Sequence, residues 1–230
     1  MSEVEKPQRR VRSFVRREGR LTPGQKKALD ALLPQYGLPA PPTPLHPVEV
    51  FGREAPLTVE VGFGNGGALH RLALNDPERD FIGIEVHRPG VGRLLRAVSK
   101  DGLDNVRVST HDAVEVLEQQ LPAESVDRLL IFFPDPWPKK RHHKRRIVQP
   151  DFARLVARLL APDGHLHLAT DWEDYKEHML EVLDACPELR NTAGPGGTVP
   201  RPDDRPITHF EERGRGKGHG VWDLVYTRAT

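Results

Sequence analysis

The stretch that decides the fold is Asp127-Arg128-Leu129-Leu130-Ile131-Phe132-Phe133-Pro134-Asp135-Pro136-Trp137-Pro138, continued by Lys139-Lys140-Arg141-His142-His143-Lys144-Arg145-Arg146. The apolar run Leu129–Phe133 is short, bulky and aromatic, as a buried strand should be. Prolines at 134, 136 and 138 forbid both a continued central strand and an ordinary helix. The chain must therefore leave the sheet stiffly, holding Asp135 at the strand tip beside an indole and a dense positive charge. In open α/β sheets, ligands bind at the carboxyl ends of strands. The stretch thus predicts an active-site edge next to a surface for a polyanion.

Working outward, the same strand grammar recurs. Leu57–Val61, Phe81–Val86, Val106–Ser109, Val126–Phe133 and His165–Ala169 read as strands. Between and after them, helical patterns run from the glycines to about Leu74, then over Pro89–Ser99, Ala113–Gln120, Pro150–Leu160 and Trp172–Ala185. Strand–helix alternation with short connections predicts an α/β fold: a doubly wound, mostly parallel sheet with helices on both faces. Thr208–Arg213 and Val221–Arg228 read as a hairpin-like antiparallel pair at the C-terminus. Upstream, residues 1–33 read as a basic arm ending in a short helix, Gly24–Leu33, capped by Thr22-Pro23. Residues 34–56 carry seven prolines and read as an extended linker with a short strand at Val48–Phe51. Residues 57–230 form the main domain.

The 230 residues are 37% hydrophobic, enough for one large core, and no stretch approaches a membrane span. The N-terminus has no apolar signal region. A single cysteine, Cys186, excludes an internal disulfide and any cysteine-based metal site, which fits a cytoplasmic setting. The net charge of +1 conceals asymmetry. Residues 1–27 hold nine Lys/Arg against three Asp/Glu, and residues 139–146 hold six Lys/Arg and two histidines with no acid. Two basic blocks on a nearly neutral chain suggest a directed footprint for an anionic partner; two solvated charge runs are the bland alternative.

Val59-Glu60-Val61-Gly62-Phe63-Gly64-Asn65-Gly66-Gly67 follows the first strand. Such glycines let the backbone turn tightly and approach a ligand. The dinucleotide pattern G-x-G-x-x-G is met but weak by itself. Glu60 is the better discriminator: a carboxylate there repels a pyrophosphate but suits a cation bearing an amino-acid group, such as S-adenosylmethionine. This disfavours NAD. Glu85, at the end of the second strand, is placed to accept from a ribose hydroxyl. Asp112 is placed either to accept from an adenine amine or to cap the following helix. His165 and His167 share a strand face, but no third ligand is in sight, and His142-His143 sit in a cationic run; no metal is expected.

These residues resemble one family. Glu60-x-Gly62-x-Gly64, the PDPW-plus-basic stretch, Ala169-Thr170-Asp171-Trp172 and Thr208-His209-Phe210-Glu211-x-Arg213-Gly214 are similar to the motifs of bacterial tRNA (guanine-N7)-methyltransferases, and the likeness runs from about Arg9 to Arg228. The family commonly has Lys where this chain has His209. The resemblance implies a class I methyltransferase, Rossmann-like with an antiparallel C-terminal strand. It implies S-adenosylmethionine as methyl donor and tRNA as partner, with transfer to N7 of the variable-loop guanine at position 46. It further implies Asp135 as the catalytic residue and a cofactor contact, with Glu60, Gly62, Gly64, Glu85 and Asp112 around the cofactor. Lys139, Asp171 and Thr208, His209, Phe210 and Glu211 would meet the substrate, and Arg141, His142, His143, Lys144, Arg145 and Arg146 the RNA backbone. A monomer and a homodimer both remain open. The rivals are a same-fold methyltransferase for another RNA or a protein, and a non-catalytic RNA-binding protein.

Overall fold

The computed structural model describes residues 21–208, 211 and 220–229. In chain order the elements are α1 (Pro23–Tyr36), α2 (Pro47–Phe51), β1 (Leu57–Val61), α3 (Gly67–Asn75), β2 (Asp80–Ile84), α4 (Arg88–Lys100), β3 (Val106–Ser109), α5 (Ala113–Gln119), β4 (Val126–Phe132), a 3-10 turn (Lys140–Arg145), α6 (Pro150–Leu159), β5 (Leu160–Thr170), α7 (Glu173–Asp184), β6 (Leu189–Asn191) and β7 (Trp222–Arg228). They build a seven-stranded sheet ordered β3-β2-β1-β4-β5-β7-β6. The first five strands are parallel, and β7 runs antiparallel between β5 and β6.

The pleat sorts the side chains into two cores. Val59, Val61, Ile82, Ile84, Leu129 and Ile131 face the layer of α5, α6 and α7, where Leu117, Phe152, Val156, Tyr175 and Met179 are buried. Phe81, Val106 and Val108 face the other way, against Leu29 of α1, Leu69 of α3 and Leu94 and Leu95 of α4. Fully buried parallel strands need apolar residues on both faces, which explains their nearly unbroken hydrophobic runs. Each large aliphatic side chain removed from water contributes about 1.5–3 kcal/mol.

β1 is the divide. One crossover leads from it to β2 on one side, and the chain later returns to its other side as β4. Such a switch point opens a crevice beyond the carboxyl ends of the two strands. The glycine turn occupies it. Gly62 (φ 73°), Gly64 (φ 58°) and Gly66 (φ 77°) take left-handed backbone that other residues adopt at a cost. Gly90, in the first turn of α4, lies against the turn: a Cβ there would sit 1.8 Å from the Gly64 carbonyl oxygen.

Three expectations are corrected, and a fourth falls partly outside the described residues. The first helix does not stop at Leu33. It continues through Pro34 to Tyr36, whose buried ring anchors the last turn. Residues 37–56 are not a free linker: Leu38 donates its N–H to the Val108 carbonyl, Leu45 is buried, and Val48–Phe51 is helical rather than a strand. Pro47 starts that short helix and Gly52 ends it in left-handed geometry. β7 pairs with β5 and β6; of its expected partner Thr208–Arg213, residues 209, 210, 212 and 213 lie outside the described residues. β5 begins at Leu160 rather than at His165, because Ala161–Gly164 bulge outward while β4 advances only from Val126 to Arg128.

Gly90→Ala tests the close approach of α4 to the glycine turn. Overpacking of this kind costs about 1–3 kcal/mol, so the melting temperature should fall by several degrees; an unchanged melting curve would contradict the contact.

Candidate active site

A cavity of about 390 Å³ opens at the switch point. Its walls include Glu60 at the end of β1 with Gly62 and Gly64 after it, Glu85 and Val86 after β2, His111 and Ala113 after β3, and Phe132 at the end of β4 with Pro134 and Asp135 after it. Ile207 and Thr208 close it from the C-terminal side. Successive strand tips thus deliver one polar group each to a single crevice.

Glu60 is 3% exposed, and its Oε2 has no hydrogen-bond partner. Burial first, then the neighbouring Glu85 charge, push its carboxyl up to about 8. An acid left in this state invites a cationic partner. Glu85 accepts from the Gly64 N–H at 2.9 Å and from the His87 N–H at 2.8 Å, tying the glycine turn to the start of α4. Burial raises its pKa, and these two backbone donors pull against that rise. Asp112 caps α5 by accepting from the Val114 N–H at 2.9 Å, while its neighbours His111 and Ala113 line the cavity. The structure therefore gives Asp112 a capping role directly beside the wall.

The exit from β4 is strained. Phe133 (φ 53°) and Trp137 (φ 47°) are bulky residues in left-handed backbone, costing about 1–3 kcal/mol each. Phe133 keeps its place by donating to the Ala169 carbonyl at 2.7 Å. Trp137 is clasped by its own basic turn: the Arg145 guanidinium lies 5.0 Å from the ring centroid and His142 packs edge-on at 5.9 Å. Asp135 stands exposed between them at the cavity mouth. Lys139, Lys140, Arg141 and Lys144 are exposed around the turn. Asp171 is half-buried one residue beyond β5, on the same sheet edge, and Trp172 after it is the N-cap of α7.

Two charged residues expected to meet RNA or substrate turn inward instead. Arg146 is 2% exposed. Its Nε donates to the Pro136 carbonyl at 2.9 Å, it pairs with Asp174, and its guanidinium covers Tyr175 at 4.8 Å. It fastens the basic turn to α7 and to the proline-rich exit, so it is unavailable to phosphates. His143 shares that arrangement, 3.1 Å from the Arg146 guanidinium. Glu211 is 2% exposed and receives Arg205 Nη1 at 2.7 Å. Arg205 also donates to Asp223 at 3.1 Å, and Asp223 bonds His167 at 2.7 Å. Glu211 donates its N–H to the Thr208 hydroxyl at 3.2 Å, and Thr208 faces the cavity. Glu211 is thus a support for the segment that carries Thr208. His209 and Phe210 lie outside the described residues.

The histidine pair on β5 lies at the edge of a small pocket that Arg128, Asp204, Arg205 and Pro206 also line. His167 is engaged by Asp223, and burial followed by the Arg128 charge lowers His165 to about 4. Sequence reasoning missed Arg205 and Asp223, because a buried ion pair between a loop and a late strand leaves no periodic signal. Among the described residues no group of three or more side chains is arranged to hold a metal ion, and no helix is long and apolar enough to cross a membrane.

Glu60 makes stability depend on pH. Its carboxyl titrates near the ordinary 4.5 when unfolded and is pushed up to about 8 when folded. The unfolded chain loses this proton first, so the contribution to stability is complete below about 4.5 and is lost as pH rises towards 8, at about 1.4 kcal/mol per pH unit. Melting temperatures of the ligand-free protein between pH 5 and 8 should therefore fall less steeply in Glu60→Gln than in the wild type. Parallel curves would contradict the assignment.

Comparison with known proteins narrows what the crevice serves. Residues 54–224 match the family model described as "Putative methyltransferase". A tRNA (guanine-N(7)-)-methyltransferase of Aeromonas hydrophila is 57% identical over 96% of this chain and 93% of its own length. The protein of the same name from Idiomarina loihiensis is 58% identical over 95% of this chain and 89% of its own. In fold, the crystal structure of the 16S rRNA methyltransferase KamB superposes with a TM-score of 0.57 at 14% identity, covering 79% of this chain and 92% of that one. Relatives of this identity, covering nearly the whole chain, lead to one conclusion: this protein belongs to the tRNA (guanine-N(7)-)-methyltransferase family.

Proposed function

We propose that this protein methylates N7 of the variable-loop guanine, position 46, of tRNA in the cytoplasm, using S-adenosylmethionine. The observation that carries the reading is the coincidence at one switch point of an unpartnered buried carboxyl, Glu60, with an exposed carboxylate, Asp135, and an exposed basic turn.

The cavity fits this donor. Glu60 Oε2 lacks a partner that the α-ammonium group would provide, and Gly62 has open space where a Cβ would otherwise intrude. Glu85 offers a carboxylate to ribose hydroxyls, and Val86, Ala113 and Ile131 give an apolar wall for a purine. When bound, S-adenosylmethionine supplies a methyl group on a cationic sulfur.

Guanine N7 already has its lone pair exposed on the major-groove edge. The N–C bond forms as the C–S bond breaks, and the positive charge passes to the purine. No proton leaves N7, so no general base is required there. What helps is orientation and a negative charge near the developing cation. Asp135 is held for that role by the rigid exit from β4. Asp171, on the same edge, can accept from guanine N1–H and the exocyclic amine, which adenine does not offer in that pattern. Lys139 is available to O6 or to a phosphate. Arg141 and Lys144 can neutralise backbone charge, while Thr208 meets the substrate from the strap.

Incubation with methyl-labelled S-adenosylmethionine and unmodified tRNA should label the RNA, and a transcript with adenine at position 46 should take up no label. Persistent labelling of that transcript would overturn the position. Asp135→Asn should lower kcat by about 100-fold or more, the scale of one lost electrostatic contact to the transition state, with tRNA affinity within about twofold of the wild type by filter binding. Unaltered turnover would remove Asp135 from the reaction.

A further inference from the structure

Helix α4 reads Arg88-Pro-Gly-Val-Gly-Arg93-Leu-Leu-Arg96-Ala-Val-Ser-Lys100: four cations and no acid. Its apolar residues Val91, Leu94, Leu95 and Val98 are buried against the sheet. Arg93, Arg96 and Lys100, three and four residues apart, therefore share the opposite, exposed face, and Arg88 is exposed at the helix start.

Some cations elsewhere on the surface find acids, though others, such as Arg71, Arg190 and Arg201, are exposed without one among the described residues. Arg53 meets Asp80, Arg154 meets Asp151, Lys176 meets Glu173 and Arg228 meets Glu124. Among the described residues none of the four α4 cations has an ion pair. A merely solvated face tends to mix signs; a single-sign face is kept for an oppositely charged partner.

The position of the helix says which partner. α4 begins two residues after the cavity residue Val86, and Gly90 rests on the glycine turn. The face runs about 18 Å from Arg88 to Lys100 at 1.5 Å per residue. α1 packs alongside, with Gly24 under the Arg96 guanidinium and Lys26 and Lys27 exposed. In the sequence, the strongly basic stretch Arg9–Arg20 immediately precedes Leu21. In the sheet, α4 follows β2 and the basic turn follows β4, so the two cationic surfaces flank the cavity on opposite sides of β1.

We infer that the Arg88–Lys100 face of α4 is a second contact surface for the tRNA phosphate backbone, separate from the turn at Lys139–Arg145. This rests on the reading of the protein as a tRNA methyltransferase. A polyanion that delivers one base into the crevice spans both flanks. Contacts on two sides fix its orientation, whereas one patch would leave it free to pivot.

The test uses the full chain and compares Arg93→Gln/Arg96→Gln/Lys100→Gln with the wild type, and with Arg154→Gln as a control cation. Binding of unmodified tRNA is followed by fluorescence anisotropy from 50 to 200 mM salt, and methyl transfer is measured at varied tRNA. The inference expects tRNA binding at least about tenfold weaker and a log–log salt slope shallower by about two to three, near one unit per lost phosphate contact. It also expects a raised KM for tRNA, with kcat at saturating tRNA and affinity for S-adenosylmethionine within about twofold. An unchanged slope and KM would overturn it, as would a loss of S-adenosylmethionine affinity, which would place the effect in the glycine turn. If the wild type transferred no methyl group to tRNA, the proposed reaction would fail, while the anisotropy comparison would still decide whether α4 holds RNA.

Discussion

The architecture depends on one constraint: β1 has parallel neighbours on both sides whose chains depart from the same end of the sheet. Backbone hydrogen bonding holds those strands 4.7–4.9 Å apart, roughly, along their length, but their exits diverge. The space between the exits is the cavity. The same parallel pairing that buries the core also aligns Glu60, Glu85, Asp135 and Asp171 along one edge. No loop has to be long to bring them together.

Rigidity at that edge is supplied by charges turned inward on the protein itself. Arg146 ties the proline-rich exit to α7, and Arg205 ties the Thr208 segment to β7 through Glu211 and Asp223. The Arg205 pairs are buried on both sides; such pairs add little net stability against apolar replacements, yet breaking one by removing a single partner costs about 3–5 kcal/mol. Their effect here is geometric. The exposed cations of the basic turn are held in one place because one cation of the run, Arg146, is buried. This division between inward and outward charges also explains how so basic a stretch can be ordered rather than splayed by its own repulsion.

The parts of this arrangement that were legible in the sequence are those with a local signature. Apolar runs of strand length, glycines after β1 and prolines after β4 each restrict the backbone directly, and they located the sheet, the turn and Asp135. The parts that were not legible depend on distant partners. A row of basic residues does not say which one faces inward, so Arg146 was grouped with the phosphate contacts. Glu211 sits in a motif beside Thr208, and nothing local reveals that Arg205 will neutralise it. Proline spacing suggested a linker over 34–56, although Leu45 and Tyr36 are captured by the core. β6 is three residues long and stable only against β7.

In the proposed reaction the nucleophile needs no deprotonation, so the carboxylates of the crevice would orient and stabilise rather than remove a proton. The most direct measurement is the identity of the modified atom in tRNA treated with the enzyme and S-adenosylmethionine. A 7-methylguanine lesion is cut selectively by borohydride reduction followed by aniline. The account predicts a single cut, at the variable-loop guanine. Methylated tRNA that resists this cleavage, or is cut at another nucleotide, would contradict it.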